Sequence, residues 1–202
     1  MTIVTASMMI SVDGFIAGSG ISADNAVGDG GAVLHEWVAE LASWRARQGM
    51  EGGLVNTDDG VIREWFDGTG AVVMGRMMFD QGEAFWGEDP PFRTPVFIVT
   101  NRPRPTLELE GGNSYTFVTD GVASAVARAK AVAGDRDVDI AGGADVFQQA
   151  LAAGLVDEVQ LHLVPVLLGA GVRLFGDFPA PLELVRNVDG EGGTHLKYRV
   201  IK

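Results

Sequence analysis

Strand-length apolar runs, each closed by turn residues, alternate with helix-period segments along most of this chain, and that alternation limits the folds open to it. The runs fall at residues 3–12, 71–74, 96–100, 115–118, 137–141, 159–166, 182–187 and 196–201. Helix-period segments separate the early ones: residues 32–47, with Val33, Trp37, Leu41 and Trp44 on one stripe, then 77–85, 121–133 and 145–153. Neighbouring parallel strands need a crossover connection, and helices of this length supply it. The pattern predicts a three-layer α/β fold, a mostly parallel central sheet flanked by helices. Past Leu155 the helical spacing stops, so the last three strands are expected to add antiparallel pairing at an edge. No repeat, charge block or linker divides the 202 residues, and one domain over 1–202 is expected.

Composition closes several functional classes. The chain has no cysteine, which excludes disulfides, thiolate nucleophiles and Cys-based metal or iron–sulfur sites. Its 15 basic against 27 acidic residues give a net charge of −12, which repels phosphate backbones, so nucleic acid is not an expected partner. No run reaches the ~18 apolar residues of a membrane span, and the N-terminus lacks a basic start and a cleavage pattern. A cytoplasmic protein with no membrane partner is expected. His162 and His195 are isolated, and Ala39 stands where a second histidine would complete H-E-x-x-H after His35-Glu36, so no metal is expected. Two Gly- and Asp-rich stretches, residues 18–31 and 49–60, are long for loops of a compact domain. The first reads equally as an active-site lid or a passive surface loop. The second reads as passive, with a short amphipathic helix open to residues 61–66.

Three strand ends carry the chemistry. Ala71-Val72-Val73-Met74 runs into Gly75, Arg76 and a helix, while Val96-Phe97-Ile98-Val99 ends in Thr100, Asn101 and Arg102. Val138-Asp139-Ile140-Ala141 ends in Gly142-Gly143 and a helix that begins with Ala144, Asp145 and Val146. In open α/β sheets ligands bind at the carboxyl ends of strands, where glycine admits close approach and a helix N-terminus offers free N–H groups. A diglycine beside such a helix suits a pyrophosphate. Two arginines with Thr100 and Asn101 suit a further phosphate on a ribose. Together they predict a phosphorylated dinucleotide, although neither the Rossmann G-x-G-x-x-G nor a P-loop is present.

These segments resemble the dihydrofolate reductase-like family, and within it the reductase domain of the riboflavin-synthesis deaminase/reductase. The resemblance rests on Ser11-Val12-Asp13-Gly14-Phe15-Ile16-Ala17, Met74-Gly75-Arg76, Thr100-Asn101-Arg102 and Ala141-Gly142-Gly143. It continues in Gly154-Leu155-Val156-Asp157-Glu158 leading into Val164-Pro165-Val166-Leu167-Leu168-Gly169-Ala170-Gly171. It implies NADPH as hydride donor, with Arg76, Thr100, Asn101 and Arg102 near the ribose phosphate. Gly142, Gly143, Ala144, Asp145 and Val146 would run along the pyrophosphate, and Ile16 and Ala17 would lie beside the nicotinamide. It implies reduction of a small planar heterocycle, of the 5-amino-6-(5-phosphoribosylamino)uracil or the folate kind, and a homodimer whose apolar edge would come from residues 159–166 and 167–175. Phe15 and Ala141 stand where the aminouracil reductases usually carry a lysine and a glutamate.

Reducing a C=N or C=O bond needs a proton as well as a hydride. Asp13, His35, Glu36 and Asp80 are the proton-donor candidates within these segments, with Asp13 and Glu36 taken as the catalytic pair. Asp13 also reads as the carboxylate of an Asp-Gly turn, and Glu36 as a first-turn residue meeting the helix dipole. Trp37 reads as core or as the wall of a flat-ring site. Two further readings stay open: a dinucleotide-binding protein without turnover, and an interaction domain in which Arg76 and Arg102 point apart.

Overall fold

The computed structural model describes residues 2–22, 24–86, 91–109 and 113–202, with the side chains of Ala84 and Phe85 outside the description. Its strands are β1 (Val4–Ser11), β2 (Phe15–Ala17), β3 (Thr69–Gly75), β4 (Val96–Val99), β5 (Leu107–Glu108), β6 (Ser114–Val118), β7 (Asp137–Gly142), β8 (Glu158–Val164), β9 (Val172–Arg173), β10 (Leu182–Asp189) and β11 (Thr194–Val200). Its helices are α1 (Val33–Ala39), α2 (Ala42–Arg47), α3 (Thr57–Gly68), α4 (Arg76–Trp86), α5 (Val122–Val132) and α6 (Ala144–Ala152). The main sheet has the order β10-β11-β8-β1-β7-β3-β4-β6-β5, and β2 pairs with β9 in a separate ribbon. From β8 to β6 every neighbour is parallel. β11 and β10 are antiparallel at one edge and β5 is antiparallel at the other.

Period-two alternation divides the core. β1 sends Ala6, Met8 and Ile10 to the face where α5 and α6 lay Val126, Ala129, Val146 and Phe147. Its opposite face carries Met9 against Leu34, Val38, Leu41 and Ile62 of the α1–α3 layer. On that same face Phe79 of α4 packs on Val72, Met74 and Ile98. Each fully buried Leu or Phe in these layers contributes about 1.5–3 kcal/mol. No helix among the described residues is long and apolar enough to cross a membrane.

Three expectations change. The sequence places residues 159–166 at an apolar dimer edge, but β8 lies inside the sheet, parallel to β1 on one side and antiparallel to β11 on the other. With both sides paired, it has no free edge to offer. The stripe over residues 32–47 reads as one helix, yet the chain breaks at Leu41, whose backbone is extended (φ −76°, ψ 142°). Leu54 explains the break: its N–H donates to Glu40 at 2.8 Å, and its carbonyl accepts from Ala42 at 2.9 Å, replacing helical continuation. The stretch 49–60 reads as a passive loop, but α3 begins within it and contains the helix expected at 61–66. Asn56 Oδ1 accepts from Asp59 N at 2.9 Å, capping α3. Asp59 Oδ1 accepts from Ser43 N at 2.7 Å, so the starts of α2 and α3 are tied together.

Candidate active site

A cavity of about 880 Å³ runs from the carboxyl ends of β3, β4 and β7 inward along the face covered by α1–α3. At its outer end stand Gly75, Arg76, Thr100, Asn101, Arg102 and the Gly142, Gly143, Ala144, Asp145, Val146 segment, with Ile16 and Ala17 on the flank. The structure therefore brings together every residue that the sequence associates with a dinucleotide. Ile21, Ala26 and Val27 of the 18–31 loop add a wall; residue 23 lies outside the described residues. The loop folds on itself: Gly18 N donates to Val27 O at 2.8 Å and Asp29 N to Ser19 O at 2.7 Å. A Cβ at Gly18 would collide with the Asp29 backbone, so glycine is what permits this closure.

The outer end has the chemistry of an anion site. Gly143 caps α6 without a side-chain hydrogen bond, leaving the first-turn N–H groups open. Gly142 has a φ of +137°, a region that favours glycine. A Cβ at Gly143 would meet nothing within 4 Å, so the space before the helix is clear. Arg76 and Arg102 converge: Arg76 Nε donates to Asp80 Oδ1 at 2.5 Å and Arg102 Nη2 to Asp80 Oδ2 at 2.9 Å. Arg76 Nη1 also donates to the Arg102 carbonyl at 3.3 Å. This convergence removes the reading in which the arginines point apart. Asp80 is a clamp between them and is not among the residues lining the cavity, which corrects its reading as a proton donor.

The two carboxylates taken as catalytic stand elsewhere. Asp13 accepts from the Ser11 hydroxyl at 2.6 Å and from the N–H groups of Leu168 and Gly169 at 3.1 and 2.7 Å. The Ser11 bond, the largest effect, holds its carboxyl down at about 2; burial opposes it, and the Gly169 and Leu168 N–H groups add to the lowering, so at neutral pH it has no proton to give. It staples the turn after β1 to the segment after β8. Glu36 is exposed, on the solvent side of a helix whose Leu34 and Val38 are buried. Neither lines the cavity. His35 does, and burial holds its imidazole below the usual 6.5. Trp37 belongs to the core, its indole N–H donating to Leu34 O at 3.0 Å and its ring tilted against His162 and His195.

Sequence reasoning missed the inner end, where Ser7, Met9, Trp44, Trp65, Phe66 and Asp139 line the wall. Asp139 is 1% exposed. Thr5 Oγ1 donates to its Oδ1 at 3.3 Å. Burial pushes its carboxyl up to about 7, against the pull of hydrogen bonds from Ser7, Thr5 and Trp65. The available signal was an acid between Val138 and Ile140 in a strand covered on both faces. Arg47 was also missed. Its guanidinium lies 3.9 Å from the centre of the Phe66 ring and donates to the Phe66 carbonyl at 3.1 Å.

Behind Trp65, residues distant in sequence form a buried chain. His195 Nε2 donates to Asp58 Oδ1 at 2.8 Å, and Asp58 Oδ2 accepts from Gly192 N at 2.8 Å. His195 Nδ1 and His162 Nδ1 lie 2.7 Å apart and share one hydrogen bond. His162 Nε2 is left without a partner. Burial, and secondarily His195, hold His162 down at about 3.

A largely parallel sheet with antiparallel C-terminal strands, and a glycine-opened cavity at its strand ends, define a dihydrofolate reductase-like α/β protein. The description "RibD C-terminal domain" matches residues 2–194, and the chain belongs to that family, whose reductase domain marks it as an oxidoreductase-type fold. Among its relatives, the uncharacterized protein YwjB of Bacillus subtilis is 25% identical over 138 residues, 61% of this chain and 76% of that protein. A "Putative riboflavin biosynthesis protein" from Shewanella sp. PV-4 superposes with a TM-score of 0.69 at 22% identity, covering 100% of both chains. Dihydrofolate reductase from Enterococcus faecalis, complexed with NADP(H) and RAB-propyl, superposes with a TM-score of 0.57 at 14% identity, covering 99% of this chain and 97% of that one. These structural likenesses show the fold.

Proposed function

We propose that the protein is an NADPH-dependent reductase of a small planar heterocycle, of the aminouracil or pterin class. The observation that carries this reading is a single cavity joining glycine-opened strand ends to an aromatic inner chamber. The residues fit the cofactor: the clear space at Gly143 and the uncapped first turn of α6 suit a pyrophosphate, which Ala144, Asp145 and Val146 would meet through backbone N–H groups. Arg76, Arg102, Thr100 and Asn101 would hold the ribose phosphate, taking it in place of part of the Asp80 contact. Gly75 allows close approach, Ile16 and Ala17 would flank the nicotinamide, and Trp44, Trp65 and Phe66 would wall a flat ring. When bound, NADPH supplies the hydride.

The test is a titration with NADPH and NADH, read by energy transfer from the tryptophans, on the natural protein, Arg76→Ala and Arg102→Ala. NADPH is expected to bind more tightly. Each substitution should weaken NADPH about tenfold, or about 1.4 kcal/mol, and leave NADH little changed. Failure of both nucleotides to bind would overturn the reading. A cytoplasmic homodimer belongs to the same proposal: Leu182, Leu184 and Val185 of the edge strand β10 are exposed, and sedimentation velocity tests the association.

A further inference from the structure

Asp139 is the buried acid of the cavity, and nothing in the proposed cofactor contacts uses it. The strand register sets it beside Thr5 of β1 and Val72 of β3, while its neighbours Val138 and Ile140 pack into the opposite core. A valine at this position would serve the sheet as well. An ionised carboxylate there is costly unless paired, and the groups bonded to Asp139 are the neutral side chains of Thr5, Ser7 and Trp65 with the Ser7 backbone. The charged and titratable groups sharing its cavity are His35 of α1, Arg47 of α2, Arg76 of α4, Arg102 after β4 and Asp145 of α6. Arg76 and Arg102 are held by Asp80, Arg47 lies on Phe66, and Asp145 is exposed and accepts from Gln149. His162 of β8 and His195 of β11 lie beyond Trp65.

We propose that Asp139 is the proton donor of the reduction, facing the point where the reacting rings of cofactor and substrate meet. This rests on the reductase reading. Asp139 precedes Gly142 by three residues on one strand, roughly 10 Å, so β7 carries both the phosphate end and the acid. Asp139 passes its Oδ proton to the nitrogen or oxygen of the substrate C=N or C=O bond as the carbon receives a hydride from bound NADPH. The π bond breaks, NADP+ and the reduced product leave, and the Asp139 carboxylate takes a proton back from water. A carboxyl that keeps its proton to near neutrality suits this task.

The test needs no substrate, because the oxidised nicotinamide ring carries a positive charge that the reduced ring lacks. If Asp139 faces that ring, NADP+ binding favours its ionised form and expels a proton, whereas NADPH binding does not. Isothermal titration calorimetry in buffers of different ionisation enthalpy, from pH 6 to pH 8, counts that proton. Wild-type affinity for NADP+ should rise roughly fivefold across this range relative to NADPH. The ribose phosphate is common to both ligands and cancels. Asp139→Asn and the smaller Asp139→Ser should abolish the difference while keeping NADPH affinity within threefold or so; His35→Asn should leave it in place. If both cofactors bind the wild type with the same pH dependence, Asp139 is not at the ring, and the proposal falls while the reductase reading stands. If a difference persists in both Asp139 variants, another group is the titrating acid and the proposal also falls. If neither cofactor binds, both fall.

Discussion

Asp139 and His162 act in opposite senses on the pH dependence of stability. Between 3.8 and about 7 the folded chain keeps a proton on Asp139 that the unfolded chain has released. Each pH unit climbed through that window lowers stability by up to about 1.4 kcal/mol, so the contribution is full below 3.8 and gone above 7. Between about 3 and 6.5 the unfolded chain takes up a proton on His162 that the folded chain excludes. Here stability rises with pH at the same rate, fully present above 6.5 and lost as pH falls through the window. The windows overlap, and in the natural sequence the two effects nearly cancel. Asp139→Asn removes the first: relative to wild type the variant should gain about 4 kcal/mol between pH 4 and pH 8. His162→Asn sets an amide nitrogen near the place of Nδ1 and removes the second; relative to wild type it should lose about 3 kcal/mol between pH 4 and pH 6.5. Packing losses displace each curve as a whole and leave its slope alone. Urea unfolding at half-unit pH steps gives the three curves, and differences from wild type that are flat, or of one sign for both variants, would refute the reasoning.

Two substitutions probe the scaffold and the cradle separately. Asn56→Ala removes the side-chain cap of α3 and should cost about 1 kcal/mol in urea unfolding, with nucleotide affinity unchanged. Gly143→Leu fills the clear space before α6 and should weaken NADPH about tenfold or more at an unchanged thermal midpoint; unchanged affinity would put the nucleotide elsewhere.

The parallel core was legible because its strands and helices each carry their own period. The ribbon of β2 and β9 and the edge strand β5 were not, since two or three residues hold no periodicity. The break at Leu41 was hidden for a related reason: Leu41 stays buried, so the apolar stripe continues while two bonds to Leu54 interrupt the backbone. At the site, the strand-end residues were readable because glycine, arginine and the helix start lie adjacent in sequence. Asp139 was not, because a lone acid in an apolar run gains meaning only when the sheet shows which face it occupies. Asp13 and Glu36 illustrate the converse, carboxylates beside the right motifs whose side chains face the wrong way. His162, His195 and Asp58 match no spacing rule, yet the pairing of β8 with β11 sets the two imidazoles side by side.

Asp80 gives the mouth of the cavity its own resident counter-ion. Two bare guanidinium groups on a molecule of net charge −12 would collect any small anion from solution. With a carboxylate already bridging the forks, a singly charged ion has little to gain, because it must dislodge a partner fixed in place by the helix that also bears Arg76. Only a group with more charge and more acceptor oxygens than a carboxylate can win both arginines at once. In the reductase proposed above, discrimination at this entrance would rest on displacing that carboxylate, which one turn of α4 sets beside both arginines.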